Sequence, residues 1–197
     1  MEQAKKECIL IEAARAFARR GFKKASVDDI ARAAGVAKGT VYLACESKAD
    51  LFYQALHREV RHWVADVSRL IDPRQPADQL LAVMAFAGFE RLEGSPLVRD
   101  LLQGKTRELL PMWGGRLDEL RALGTHHLIE VLRLGIRQKL FREDLDVDRV
   151  SAVLQDLQIA GDLFHGGRRT NEERMEFYAA GLDLVLDGLR VRGAEGP

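Results

Sequence analysis

The chain has only two cysteines among 197 residues, Cys8 and Cys45, which stand far apart and form no CxxC pair. That spacing excludes a disulfide framework and the common zinc ribbons. Long apolar runs are missing too. The longest, LLAVMAFAGF at 80–89, falls well short of the roughly 20 residues a bilayer-crossing helix needs. The opening MEQAKKECILIEAARAFARR is charged throughout and lacks the apolar stretch and cleavage site of a signal peptide. A soluble, cytoplasmic protein is therefore expected. No GxSxG, HExxH or GxGxxG occurs, and the carboxylates are scattered. No catalytic constellation can be assembled, so the chain reads as a non-enzyme with no cofactor and no metal. Nor is there any net charge, with 30 Lys and Arg against 30 Asp and Glu. The distribution is uneven, however. Residues 1–50 carry ten cationic side chains against seven anionic ones, and the remainder carries twenty against twenty-three. A basic head on a mildly acidic body suits binding of a polyanion through the head.

Sustained alternation of apolar and polar residues is absent as well, which leaves no strands to assign; helical spacing is everywhere. Leu10, Ala14 and Phe17 share one face of a first helix ending at Gly21. Val27, Ile30, Ala31 and Ala34 mark a short second helix, opened by the capping-box spacing of Ser26 and Asp29 and closed by Gly35. Ser47 and Asp50 repeat the capping pattern before a long helix with Leu56, Val60, Trp63, Val67 and Leu70, stopped at Asp72-Pro73. At 1.5 Å per residue this helix is about 36 Å long. Residues 77–93 are apolar on nearly every side, as in a helix at a domain centre. A short helix follows over 96–108, then a break at Pro111 and Gly114-Gly115. A long helix over 116–140 carries Leu117, Leu120, Gly124, His127, Val131 and Leu134. Helices near 147–165 and 171–191, separated by Gly166-Gly167, close the chain, with Thr170 and Glu173 capping the last. The expectation is an all-α protein of about nine helices. A helix-turn-helix head, residues 1–50, is joined by the long helix to a helical bundle, residues 51–197.

The second and third helices have the dimensions of a helix-turn-helix, with Gly35 in the turn. GVAKGTVYLACESKADL at 35–51 is too short and polar for a core helix. Lys38 and Thr40 can donate to phosphates or bases, Gly39 permits close backbone approach, and the Tyr42 hydroxyl can reach a phosphate. Lys48 adds a charge in the first turn of the following helix. Read as one string, LIEAARAFARRGFKKASVDDIARAAGVAKGTVY resembles the TetR family of bacterial transcription regulators. The match falls at Ala13, Ala14, Phe17, Gly21, Ile30, Ala31, Gly35, Val36, Gly39, Thr40 and Tyr42, and again at Ser47, Lys48 and Leu51. The resemblance implies an all-helical homodimer with a DNA-binding head and an effector-binding body. It implies base or phosphate contacts for Lys38, Gly39 and Thr40, and phosphate contacts for Ser26, Tyr42 and Lys48. Departures follow the tyrosine, where Leu43, Ala44 and Cys45 replace large polar or aromatic residues. Ala37 stands where a serine N-cap is common, a loss typically worth ~1 kcal/mol.

Other features have sharper and plainer readings. Gly104-Lys105-Thr106 suggests a phosphate loop, but Arg99 occupies the position of its first glycine and no strand precedes it. His126, His127 and Glu130 have metal-ligand spacing without a fourth ligand. Cys45 reads as a small core filler rather than a redox switch. Met84, Phe86, Phe89, Met112 and Trp113 read singly as core. Together, and given the family, some are expected to line a cavity for a largely apolar effector, with Met84, Phe86, Trp113 and His127 as its candidates. The last helix shows two stripes: Met175, Tyr178, Leu182, Val185 and Leu189; and Phe177, Gly181, Leu184, Gly188 and Val191. With Val153, Leu157, Ala160 and Phe164 they suggest a homodimer through 147–165 and 171–191. The expected function is a regulator, most simply a repressor, released by the effector from a near-palindromic operator of double-stranded DNA. A ligand-independent regulator, or an all-α enzyme or carrier, is the alternative.

Overall fold

The computed structural model describes residues 3–90, 94–102, 105–165 and 171–191. Gly104, Gly166-Gly167 and Thr170 lie outside the described residues, as do the side chains of Phe89, Leu157, Ala160, Phe164, Met175 and Tyr178. Among the described residues there are ten α-helices and no strand beyond an isolated bridge between Phe141 and Arg190. The helices are α1 (Gln3–Lys24), α2 (Val27–Ala33), α3 (Lys38–Ala44), α4 (Lys48–Ser68) and α5 (Ala77–Glu90). They continue with α6 (Pro96–Leu102), α7 (Leu110–Trp113), α8 (Arg116–Arg137), α9 (Val147–His165) and α10 (Asn171–Leu189).

The helix that sequence did not anticipate is α7. Pro111 was expected to mark a break, yet it sits in the first turn of this four-residue helix. A proline is tolerated there because first-turn N–H groups have no intrahelical acceptor to lose. A 3₁₀ turn over Arg107–Leu109 precedes it. The start of α1 runs deeper than its apolar stripe, and its backbone leaves helical geometry at Gly21, where φ is 71°. The long helix α4 has 21 residues, about 31 Å.

By packing, the chain divides into two units: residues 1–63 with 92–120, and residues 64–91 with 121–197. In the first, α1 packs on α2 and α6, and α2 on α3. Its centre is a cluster of rings. Phe52 meets Phe17 edge-on at 4.9 Å, Phe22 at 5.8 Å, and stacks on Trp113 at 5.7 Å. Ile9, Leu10, Ala13, Ile30, Val41 and Leu51 complete this core. In the second unit, α10 packs against α5 and α9. Ala77, Leu80, Leu81, Met84 and Ala87 bury much of α5, consistent with its apolar composition. The segment after α8 is clamped to the end of α10 by Arg142 N–H donating to the Leu189 carbonyl at 3.0 Å and Val191 N–H to that of Leu140 at 3.3 Å.

Candidate nucleic-acid interface

The second helix is set by its ends. Ser26 is its N-cap, the hydroxyl accepting from the Asp28 N–H at 3.2 Å. The other half of the expected capping box does not form. Asp29 instead pairs with Arg20 at 2.6 Å and Arg32 at 3.2 Å. At the far end Gly35 adopts φ 66°, Val36 N–H donates to Ala31 O at 3.0 Å, and Gly35 N–H to Arg32 O at 3.2 Å. This is the Schellman arrangement, which needs a residue comfortable in the left-handed region. It turns the chain sharply into α3.

The third helix begins at Ala37, whose side chain makes no capping bond. Only one residue within it, Val41, is fully buried, and the following Cys45 is buried beneath the end of the helix. The Cys45 thiol donates to the Val41 carbonyl at 3.1 Å. Burial pushes it up to about 11, so it stays protonated and behaves as a small apolar filler.

The end of α3 is also tied to more distant residues. Gln54 donates to the Ala44 carbonyl at 3.0 Å and to Asp50 at 2.8 Å. Asp50 also accepts the Glu46 N–H at 3.0 Å and the Arg116 guanidinium at 2.7 Å. Burial raises the Asp50 carboxyl, but these hydrogen bonds and the arginine charge outweigh it and hold it below its ordinary value. Arg116 lies 3.7 Å over the Tyr53 ring, and the Tyr53 hydroxyl donates to Glu119 at 2.8 Å. Sequence reading missed this chain of contacts. Its links join residues up to 66 positions apart, beyond any helical spacing.

The residues expected to meet DNA all fall in the first unit. Gly39 is exposed, with nothing within 4 Å of where a Cβ would stand. Thr40 is half-buried, and Tyr42 is 46% exposed. Lys38 is turned toward α2, its ammonium 2.9 Å from Asp28, whose hydrogen bond and charge raise the lysine. Lys48 donates to the Lys23 carbonyl at 3.2 Å and sits 4.8 Å over the Phe22 ring. Lys38 and Lys48 are thus both held by protein partners before any ligand arrives. Beyond α3, an open hollow of about 450 Å³ is lined by Leu43, Cys45, Glu46, Asp50, Gln54 and Arg116, among others.

The effector candidates are divided between the units. Trp113 is buried in the first, stacked on Phe52 and edge-on to Tyr53, and its indole N–H has no hydrogen-bond acceptor among the described residues. In the second, Met84 is buried and Phe86 half-buried on α5, while His127 is half-buried on α8. Met112 is exposed. Lys105 pairs with Asp100 at 3.0 Å. His126 and His127 each lie 3.7 Å from an oxygen of the same Glu130.

Comparison with known proteins bears on the same residues. The family described as bacterial regulatory proteins, tetR family, matches residues 9–55. The HTH-type transcriptional repressor KstR2 of Mycolicibacterium smegmatis is 27% identical over 190 residues, covering 94% of this chain and 91% of that one. The fatty acid metabolism regulator protein of Bacillus subtilis is 25% identical over 139 residues, 71% of this chain and 72% of its own. The solved structure of the Bacillus subtilis transcriptional regulator FadR, in complex with stearoyl-CoA, shares the fold. Its TM-score is 0.73 at 21% identity, over 93% of this chain and 99% of that one.

Proposed function

The chain belongs to the TetR family of bacterial regulatory proteins, a transcription regulator and not an enzyme, and from that premise we propose that it represses by occupying a near-palindromic operator and is released by a small, largely apolar effector. The observation that carries the DNA-binding half is the construction of α3. A helix that fully buries only Val41 and leaves Lys38, Gly39, Tyr42 and Leu43 exposed contributes little to the core of its own unit. A major groove admits a helix of this kind and offers base edges to its side chains. Lys38, Gly39 and Thr40 are assigned to bases or phosphates, and Ser26, Tyr42 and Lys48 to phosphates. DNA binding is assigned to residues 1–50, sensing and dimerisation to 51–197, in a cytoplasmic protein.

The effector half draws on the relatives. One is named as a regulator of fatty acid metabolism, and FadR holds stearoyl-CoA in its solved structure. A long-chain acyl thioester is therefore the first probe, with Met84, Phe86, Trp113 and His127 the side chains to vary. The test has two steps. A gel shift with the DNA upstream of the protein's own coding sequence should give a sequence-preferring complex; indifference to sequence would end the regulatory reading. Calorimetry with stearoyl-CoA, with and without saturating operator, should then show weaker binding on DNA, because coupling is reciprocal. Equal affinities would make this a regulator that ignores that ligand.

A further inference from the structure

The outward face of α3 has a single apolar side chain at its centre. At 100° per residue, Gly39 and Leu43 stand about 160° and 200° from the buried Val41, one turn apart on the face opposite the core. Gly39 contributes no side chain, so Leu43 alone projects from the middle of that face. It is 82% exposed, more than any other large apolar side chain described. Tyr42 and Thr40 flank it about 100° to either side of Val41, and Lys38 is drawn toward Asp28. A lone exposed leucine on an ordinary surface needs no explanation. This one lies where base edges must be met, on a helix that Gly39 lets sit close.

Resting on the reading of α3 as a DNA-reading helix, we propose that Leu43 is a specificity-determining residue that recognises thymine through the C5-methyl group. In the major groove every other base-edge feature is a hydrogen-bond donor or acceptor, and the methyl is the apolar one. A leucine has no hydrogen-bonding group, so it discriminates by burying that methyl and by desolvating the donor or acceptor of any other base. The recognised thymine occupies equivalent positions in the two half-sites of the operator.

The test removes the methyl and nothing else. The full-length protein is first used to select sites from a pool of random duplexes. No enrichment would overturn the DNA-binding reading itself, a failure distinct from that of the inference. In an enriched site each thymine is then replaced in turn by uracil, which keeps the pairing and the O4 acceptor. One thymine per half-site should prove sensitive, with a loss of about fourfold for each methyl, equivalent to one buried CH₂. In Leu43→Ala that sensitivity should vanish while circular dichroism and the effect of salt stay unchanged. Leu43→Met, which retains apolar reach, should preserve it. Sensitivity equal in wild type and Leu43→Ala, or none at any thymine, would overturn the proposal.

Discussion

Single residues in the head divide into those that hold it together and those left facing outward. Cys45 belongs to the first kind. Its thiol is buried, bonded to Val41 O, and raised to about 11, whereas Cys8 is exposed. A thiol reagent should therefore modify one cysteine rapidly in the native protein and both in denaturant; two fast thiols in the native state would mean that α3 opens readily. Tyr42 belongs to the second kind, whereas Lys48 is half-buried and held by the Lys23 carbonyl and the Phe22 ring. Removing the Lys48 charge by Lys48→Ala should weaken binding to all DNA alike and lower the slope of log affinity against log salt by about one unit. Tyr42→Phe should also weaken binding without changing sequence preference. Selected sites that differ between these variants and the wild type would move those residues from phosphate to base contact.

At the scale of elements, the turn between α2 and α3 depends on a backbone conformation more than on contacts. Gly35 at φ 66° meets nothing where a Cβ would stand, so Gly35→Ala adds strain without a clash. It should cost about 1–2 kcal/mol in urea unfolding. A second dependence runs from the end of α3 through Gln54, Asp50, Arg116 and Tyr53. Burial, then the hydrogen bond and charge of Glu119, raise the Tyr53 hydroxyl from 10.0 to about 12. A group raised in the folded state adds stability that is complete below its unfolded value and disappears as pH climbs through the folded one. The stability difference between wild type and Tyr53→Phe should thus be level below pH 10 and shrink toward pH 12. A difference that grew over that window would contradict the assignment of the bond to Glu119. Arg116 is partly solvent-exposed, so screening keeps the expected cost of Arg116→Ala near 1 kcal/mol.

For the molecule as a whole, the surface of α10 carries the expectation of a homodimer. Leu186 and Leu189 are buried, while Leu184 is 76% exposed and Val191 and Gly188 are exposed with it. Val153 on α9 is exposed as well. A helix with one apolar face buried within its own unit and a second turned outward fits a partner of the same sequence, which buries both copies of the stripe at a two-fold axis. Sedimentation at micromolar concentration should give the mass of two chains. Leu184→Glu should give one, with helical content retained because the side chain is not part of the core. It should also reduce affinity for a two-half-site operator far more than for a single half-site, since linked heads bind the second half-site at high effective concentration.

What the sequence determined by itself was local. The ends of α2, the start of α4 and the turn at Gly35 are written in residues one to five apart, because caps and Schellman bonds close over that distance. The apolar spacing of α4, α5 and α8 is likewise a property of the helix itself, and the residues matching a known family lie within the same head. Tertiary structure decided the rest. Lys38 turning to Asp28, Asp29 leaving its capping box for Arg20, and Arg116 reaching Asp50 across 66 residues all depend on which helices lie side by side. The helical place of Pro111 depends on whether a first turn forms around it, which spacing cannot tell from a break. So does the prominence of Leu43: in sequence it is a departure from a family pattern, and only the burial of Val41 beneath it makes it the outermost side chain of α3. Hydrogen bonds within a turn are fixed by chain connectivity, whereas exposure and long-range pairing follow from how the core closes.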